Sequence, residues 1–282
     1  MAATPERPRL IINADDFGLA DGVTRGIIEA HEAGSVTSTS MMANGVDWES
    51  AVRFARATRT LDVGVHLNLV QGRPLLRVPS LTDPRTGELL PLGALARRAF
   101  ARRIDRDELA AELRAQIERV RQAGIAVTHL DSHRHAHVLP GIFPTVRLVA
   151  MEAGIRVLRI PREPLRVNPL HPGATARKLV LASSLGLSRA LPLDSSLATT
   201  DHFRGVSLQG GRRFAERLRR ALDTLEPGST ELMVHPGHVD EALAAQDSYT
   251  QPRPIELAAL TSAAIRERLA RGDIELTSFA AL

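Results

Sequence analysis

The chain has 282 residues, of which 44% are hydrophobic and 3% aromatic, and 36 Lys and Arg against 32 Asp and Glu give a formal net charge of +4. It contains no Cys, which excludes disulfides, zinc–thiolate sites and thiol nucleophiles. Because basic and acidic residues are interspersed along the predicted helices, we exclude a nucleic-acid-binding surface. The polar N-terminus and the lack of an apolar run of about 20 residues predict a cytoplasmic protein without a membrane span.

Short apolar runs alternate with helical patterns in the first half of the chain. The first strand has Leu10–Ile12 at its core and ends at Asp15 and Asp16. Further strands are predicted over residues 35–40, 62–66 and 125–130, and helices over residues 23–33, 48–57 and 107–123. Residues 71–92, rich in Pro and Gly, are predicted to form a long loop.

The second half continues the alternation. Helices are predicted over residues 143–153, 212–225 and 255–271 and somewhere within 163–190, and strands over 155–160, within 193–203, and over 230–234, before a last apolar segment at 274–277. This order predicts a parallel sheet, and seven or eight such units favour an α/β fold of one domain over residues 1–282, a (β/α) barrel that is closed, distorted or incomplete. An open doubly wound sheet is the alternative, but the glycine fingerprint of a dinucleotide site is missing after the first strand.

Polar residues cluster where the predicted strands end, the edge at which barrel enzymes build their active sites. The candidate site residues are Asp15, Asp16, His66, Asp131, His133, His135, His137, Arg162, His235 and His238.

Each candidate also has a purely structural interpretation. A single Asp in this place commonly caps a helix, but of two adjacent carboxylates one can bind a cation while the other accepts a proton. Residues 131–137 carry three His at alternate positions, and either an extended or a helical path brings two of them to one site, so both His133 and His137 stay open as metal ligands. Others of this segment would support a ligand by hydrogen bonding. Arg162 would be either a surface residue or a clamp for an anion or carbonyl.

The motifs together resemble the YdjC-like carbohydrate deacetylases of the ChbG/HpnK type. The similarity is carried, in the family's order, by residues 12–18, 34–44, 64–69, 129–137 and 235–238. It implies a barrel-like fold and one divalent metal ion, Mg²⁺ or Zn²⁺. It further implies metal ligands at Asp16, His66 and His133, a general base at Asp15 and a general acid at His235.

The resemblance implies a hydrolase that removes N-acetyl groups from an acetylated amino sugar, either an oligosaccharide or a glycosyl lipid, and that forms a homodimer. Two other functions fit the same residues. A glycoside hydrolase would use Asp15 with a second carboxylate such as Asp131 and would need no metal. A non-catalytic sugar- or metal-binding protein would keep the site without turnover.

Overall fold

A computed structural model describes residues 7–164, 172–188 and 197–282. The strands of these segments form one sheet in which every neighbouring pair is parallel. The strands are β1 (Arg9–Phe17), β2 (Ser38–Met41), β3 (Asp62–Leu67), β4 (His129–Ser132), β5 (Val157–Leu158), β6 (His202–Arg204), β7 (Ser229–Val234) and β8 (Glu275–Leu276).

Helices follow most of the strands and pack on the outside of the sheet. They are α1 (Asp21–Glu32), α2 (Trp48–Ala57), α3 (Leu92–Phe100), α4 (Arg106–Gln122), α5 (Phe143–Glu152), α6 (Pro172–Ser188), α7 (Phe214–Asp223), α8 (Glu241–Gln246), α9 (Pro252–Leu260) and α10 (Ala263–Leu269). In the part of the chain that the structure describes, none of them combines the length and the apolar content of a membrane-spanning helix.

The sheet runs β5-β4-β3-β2-β1-β7-β6, and β8 pairs with the start of β1. The described residues show no pairing between the edge strands β5 and β6; Val157 of β5 instead makes an isolated bridge to Ala198, which precedes β6. The predicted α/β fold is therefore confirmed in its incomplete form, a curled, partly open (β/α) barrel. The apolar faces of the strands and helices share one large core.

Several predicted boundaries were wrong. The fourth strand was predicted over residues 125–130, but pairing with β3 places β4 at His129–Ser132. The predicted helix over residues 255–271 is two helices, because the Ser262 side chain caps a new start by accepting from the Ile265 N–H. The α3 helix was missed, since it is only nine residues long and begins at the end of the Pro- and Gly-rich segment that was predicted as a loop. Of the strand predicted within 193–203, residues 193–196 lie outside the described residues, and β6 begins at His202.

Candidate functional site

A bulge at the end of β1 turns two consecutive carboxylates toward one cavity. The pairing of β1 with β2 shifts register between Ala14 and Phe17, and Asp16 has a left-handed backbone, with φ of 73°. Successive strand residues normally face opposite sides, but a bulge redirects the side chain that follows it. As a result both Asp15 and Asp16 line a cavity of about 550 Å³ at the carboxyl ends of the strands.

The ends of strands β3, β4 and β7 and the segment from Asp247 to Arg253 deliver other polar groups to this cavity. Both polar and aliphatic side chains line it, and the polar ones include His66, His133, Arg134, His135, His235, Asp247, Tyr249 and Arg253. The structure thus brings together six of the ten predicted site residues: Asp15, Asp16, His66, His133, His135 and His235.

Asp16, His66 and His133 form a compact buried cluster. The Asp16 Oδ1 atom lies 2.7 Å from Nδ1 of His133 and 3.2 Å from Nε2 of His66. One ligand atom from each residue lies within 4.8 Å of the other two. Burial opposes ionisation of Asp16, but His133 and Arg253 outweigh it and hold the pKa of this carboxyl well below its usual range.

Asp131 does not line the cavity but supports His66, which does. Its Oδ1 atom lies 2.8 Å from Nδ1 of His66, the residue paired with it in the β3–β4 register, and the Asp131 side chain is fully buried. Burial disfavours a charged imidazole, yet Asp131 and Asp16 together raise the pKa of His66 to about 10. A carboxylate on the outer ring nitrogen is the usual support of a metal-binding His, because it fixes the tautomer and the ring orientation.

The donor set suits a divalent cation. If His66 donates its Nδ1–H to Asp131 and His133 donates its Nε2–H to Oε1 of Gln71, 2.9 Å away, both inward nitrogens carry lone pairs. Those lone pairs would then face the carboxylate oxygen of Asp16, an arrangement that a cation among the three atoms stabilises. One carboxylate and two imidazoles are ligands that zinc accepts readily, and magnesium would complete such a set with water.

The two remaining His of the 133–137 segment occupy different positions. After Ser132 the chain makes a 3-10 turn in which Arg134 and His135 are left-handed, neither the extended nor the helical path that we predicted. His137 is fully buried, with Nδ1 2.5 Å from the Ser132 hydroxyl and Nε2 2.9 Å from the Arg159 carbonyl, so both its ring nitrogens are engaged away from the cavity. His135 lines the cavity, and burial lowers its pKa well below the usual range.

Arg159 is the hub of a buried charge network that holds Asp15. Its guanidinium donates to both oxygens of Asp15, each at 2.7 Å, and lies 2.8 Å from Asp131 Oδ2. Its Nε also donates to Glu231 at 2.6 Å. Burial, which the nearby guanidinium offsets only in part, raises the pKa of Glu231 to about 7. The bidentate pair fixes Asp15 at the cavity wall.

Arg159 and Glu231 were missed by the sequence analysis. A signal existed, because each is a charged residue inside an apolar, strand-forming run, and such a charge is rarely buried without a partner. Arg253 and Asp247 were missed as well. The fully buried Arg253 donates to Asp16 Oδ2 at 2.6 Å and to Asp247 Oδ2 at 3.0 Å, and its sequence context, between two prolines, carries no comparable signal.

His235 also lines the cavity. Its backbone N–H donates to Glu256 Oε2 at 2.7 Å, and its ring packs on Tyr249 with centroids 5.2 Å apart. The other two predicted residues, the exposed Arg162 and the partly buried His238, do not line the cavity. The His238 Nε2 atom instead lies 2.8 Å from Glu29 on α1.

Comparison with known proteins agrees with this architecture. A carbohydrate deacetylase of Brevibacillus brevis is 35% identical over 282 residues, covering 97% of this chain and 99% of that protein. A chitooligosaccharide deacetylase of Yersinia pestis is 38% identical over 271 residues, covering 96% and 97%. The crystal structure of an Enterococcus faecalis protein, described as a candidate cellobiose-phosphate cleavage protein, superposes with a TM-score of 0.78 at 28% identity and covers 98% of both chains.

The family model described as YdjC-like protein matches residues 9–271, which include every strand from β1 to β7 and all the residues that line the cavity. The chain belongs to the YdjC-like protein family.

Proposed function

We propose that this protein is a metal-dependent carbohydrate deacetylase that hydrolyses the N-acetyl group of an acetylated amino sugar, on an oligosaccharide or a glycosyl lipid, to acetate and a free amine. The observation that carries the proposal is the grouping of Asp16, His66 and His133 beside an Arg-held Asp15 in one cavity with His235. Relatives that match over nearly their whole length are named carbohydrate and chitooligosaccharide deacetylases, which supports this substrate class.

Asp16, His66 and His133 would hold the metal, either Mg²⁺ or Zn²⁺. When bound there, a divalent ion polarises the acetamido carbonyl and lowers the pKa of water. Asp131 keeps Nε2 of His66 directed at this point, and Arg253 occupies the second oxygen of Asp16, so that Oδ1 is the oxygen available to the ion.

Asp15 is the general base of this proposal. The bidentate contact with Arg159 orients its carboxylate, and because each carboxylate oxygen has two lone pairs, an acceptor position remains for the proton of an attacking water. His235, which lines the same cavity, donates a proton to the leaving amine nitrogen. Asp15 takes a proton from the attacking water and His235 gives one to the amine nitrogen. The amide bond therefore breaks without forming an amide anion.

The glycoside hydrolase alternative would pair Asp15 with Asp131. The similarity to a protein described by cellobiose-phosphate cleavage favours it. Against it, the fully buried Asp131 has both oxygens engaged, by His66 on one and by Arg159 and Ser40 on the other. Chelation separates the two reactions, since glycosidic cleavage by two carboxylates persists without metal and the proposed deacetylation stops.

Two variants test the residue roles. Acetate release from an N-acetylated chitooligosaccharide is measured for Asp15→Asn and His235→Ala with metal bound. We expect each to lose roughly 10²–10⁴-fold in kcat, the usual contribution of a positioned acid or base. Near-wild-type turnover in both variants, with metal bound, contradicts the roles.

The proposal also takes residues 1–282 as one deacetylase domain, supported by a family match that spans residues 9–271. The expected homodimer stays a prediction that size-exclusion chromatography with light scattering checks.

A further inference from the structure

Tyr249 is the only tyrosine of the chain, and it lies in the wall of the cavity between His235 and Arg253. Its ring centroid is 5.2 Å from that of the His235 imidazole, at an angle of 56°. On its other side, the guanidinium carbon of Arg253 lies 5.7 Å from the Tyr249 ring centroid. The tyrosine therefore contacts both the proposed proton donor and the arginine that holds Asp16.

Hydrogen bonds hold Tyr249 at both its side-chain hydroxyl and its backbone carbonyl. Its hydroxyl donates to Glu256 Oε1 at 2.5 Å and accepts from the Gly210 N–H at 2.7 Å. Burial, reinforced by the Glu256 carboxylate, raises the pKa of the Tyr249 phenol above its usual value, so the hydroxyl keeps its proton to donate. At the backbone, the Tyr249 carbonyl accepts from Nε of Arg253 at 2.8 Å.

Glu256 joins Tyr249 to His235. The Glu256 side chain is buried on α9, and while one of its oxygens accepts from the Tyr249 hydroxyl, the other accepts from the His235 backbone N–H at 2.7 Å. A single carboxylate thereby fixes the position of the His235 backbone and the tilt of the ring that His235 packs against.

The His235 imidazole lacks the hydrogen bond that usually orients such a ring. A catalytic His is normally oriented by a bond at its second ring nitrogen. Here Nδ1 of His235 is buried, and no group among residues 7–164, 172–188 and 197–282 bonds to it. The orientation of the ring must therefore come from packing, and Tyr249 supplies the ring contact that the described residues show.

From these contacts, and resting on the proposed function of His235, we propose that Tyr249 is a positioning residue for His235. The aromatic face of Tyr249 keeps the imidazole at the cavity wall with one nitrogen toward the leaving group, and Glu256 holds the tyrosine in place. Displacing a catalytic group by about 1 Å is enough to cost on the order of 10²-fold in rate.

A double-mutant cycle with His235→Ala tests the proposal, because a residue that acts through His235 has no effect on catalysis once His235 is gone. We would measure kcat and KM for acetate release from di-N-acetylchitobiose with Zn²⁺-loaded enzyme. We expect Tyr249→Leu to lower kcat by roughly 10–100-fold, with KM within about threefold. In the His235→Ala background the same substitution is expected to change kcat less than about twofold.

Phe203→Leu is the matched control, since Phe203 is also a buried aromatic beside the cavity but packs on His135 and not on His235. Its effect on kcat should be the same with and without His235. Tyr249→Phe keeps the aromatic face and should retain kcat within about tenfold of wild type. If Tyr249→Leu does not fold, the cycle is run with Tyr249→Phe, whose smaller loss must likewise vanish without His235.

A loss of kcat from Tyr249→Leu that persists in the His235→Ala background overturns the inference and leaves the proposed deacetylase intact. Full activity of His235→Ala instead removes the proposed role of His235, and the inference falls with it. The Hε1 signal of the His235 ring, assigned by comparison with His235→Ala, gives a readout without turnover. It should be single in wild type and Tyr249→Phe and broadened or multiple in Tyr249→Leu; an unchanged signal in Tyr249→Leu overturns the inference.

Discussion

Replacing Asp131 by Asn should weaken the proposed metal binding while leaving all three proposed ligands, Asp16, His66 and His133, in the sequence. In the native protein, the Asp131 carboxylate accepts from Nδ1 of His66 at 2.8 Å and, with its other oxygen, from Ser40 at 2.6 Å and Arg159 at 2.8 Å. An amide has a single oxygen, so it cannot accept on both sides. Either the His66 tautomer loses its support, or an NH₂ group is placed against the Arg159 guanidinium.

The expected magnitude follows from similar supporting groups in other metal sites, whose removal costs about 10–100-fold in metal affinity. That is roughly 1.4–2.7 kcal/mol of binding free energy. The assay is titration of metal-free protein with Zn²⁺ by calorimetry or against a competing chelator, with the folded state checked by circular dichroism.

Glu231→Gln is the control for the charge network. It alters another carboxylate partner of Arg159, and the side-chain bonds of Glu231 go to Arg159 and not to His66. We expect its Zn²⁺ affinity to stay within about threefold of wild type. If folded Asp131→Asn binds Zn²⁺ as tightly as wild type, or if both variants weaken equally, the support of His66 by Asp131 is refuted.

Three further predictions concern residues outside the cavity. A Cβ at Gly64 would lie 2.4–2.6 Å from the His129 ring, so Gly64→Ala should lower the unfolding free energy by about 1–3 kcal/mol. In a His129→Ala background most of this loss should disappear. Equal destabilisation by Gly64→Ala in both backgrounds argues against the clash. Burial lowers the pKa of His129 to about 4 from an ordinary 6.5, so the unfolded chain binds the extra proton between those values and stability falls as the pH falls from 6.5 to 4. His129→Gln should reduce that fall by about 3 kcal/mol in urea titrations at the two pH values; an unchanged pH dependence contradicts the depressed pKa. His238→Ala removes an exposed contact with Glu29 and should leave kcat/KM for acetate release within about twofold; a tenfold loss places His238 in the reaction after all.

The sequence predicted the fold and the edge of the sheet where the candidate cavity lies, because both depend on local signals. Alternation of apolar runs and amphipathic helices indicated a parallel barrel, and polar residues at strand ends indicated the edge where Asp15, His66 and His133 meet. Whether His133 or His137 faces the cavity depended on the left-handed turn at residues 134 and 135, which no periodicity in the segment indicates.

The charge network could not be predicted in the same way. Arg159 joins carboxylates on three other strands of the sheet, and this pairing exists only once the sheet has curled. Arg253 reaches Asp16 across 237 positions of the sequence. Arg162 lies outside the site for a related reason, since the guanidinium that holds Asp15 belongs to Arg159, the first residue after β5, three positions before Arg162.

The most direct measurement of the central claim is acetate release from a panel of N-acetylated saccharides by metal-free protein to which one divalent ion at a time is added. The account predicts no release without metal, release on addition of Zn²⁺ or Mg²⁺, and loss of that release in Asp16→Asn. That substitution removes the carboxylate whose Oδ1 atom lies 2.7 Å from His133 and 3.2 Å from His66 in the native protein. Turnover that is equal with and without metal, or sugar products cut at the glycosidic bond with the acetyl group retained, would contradict it.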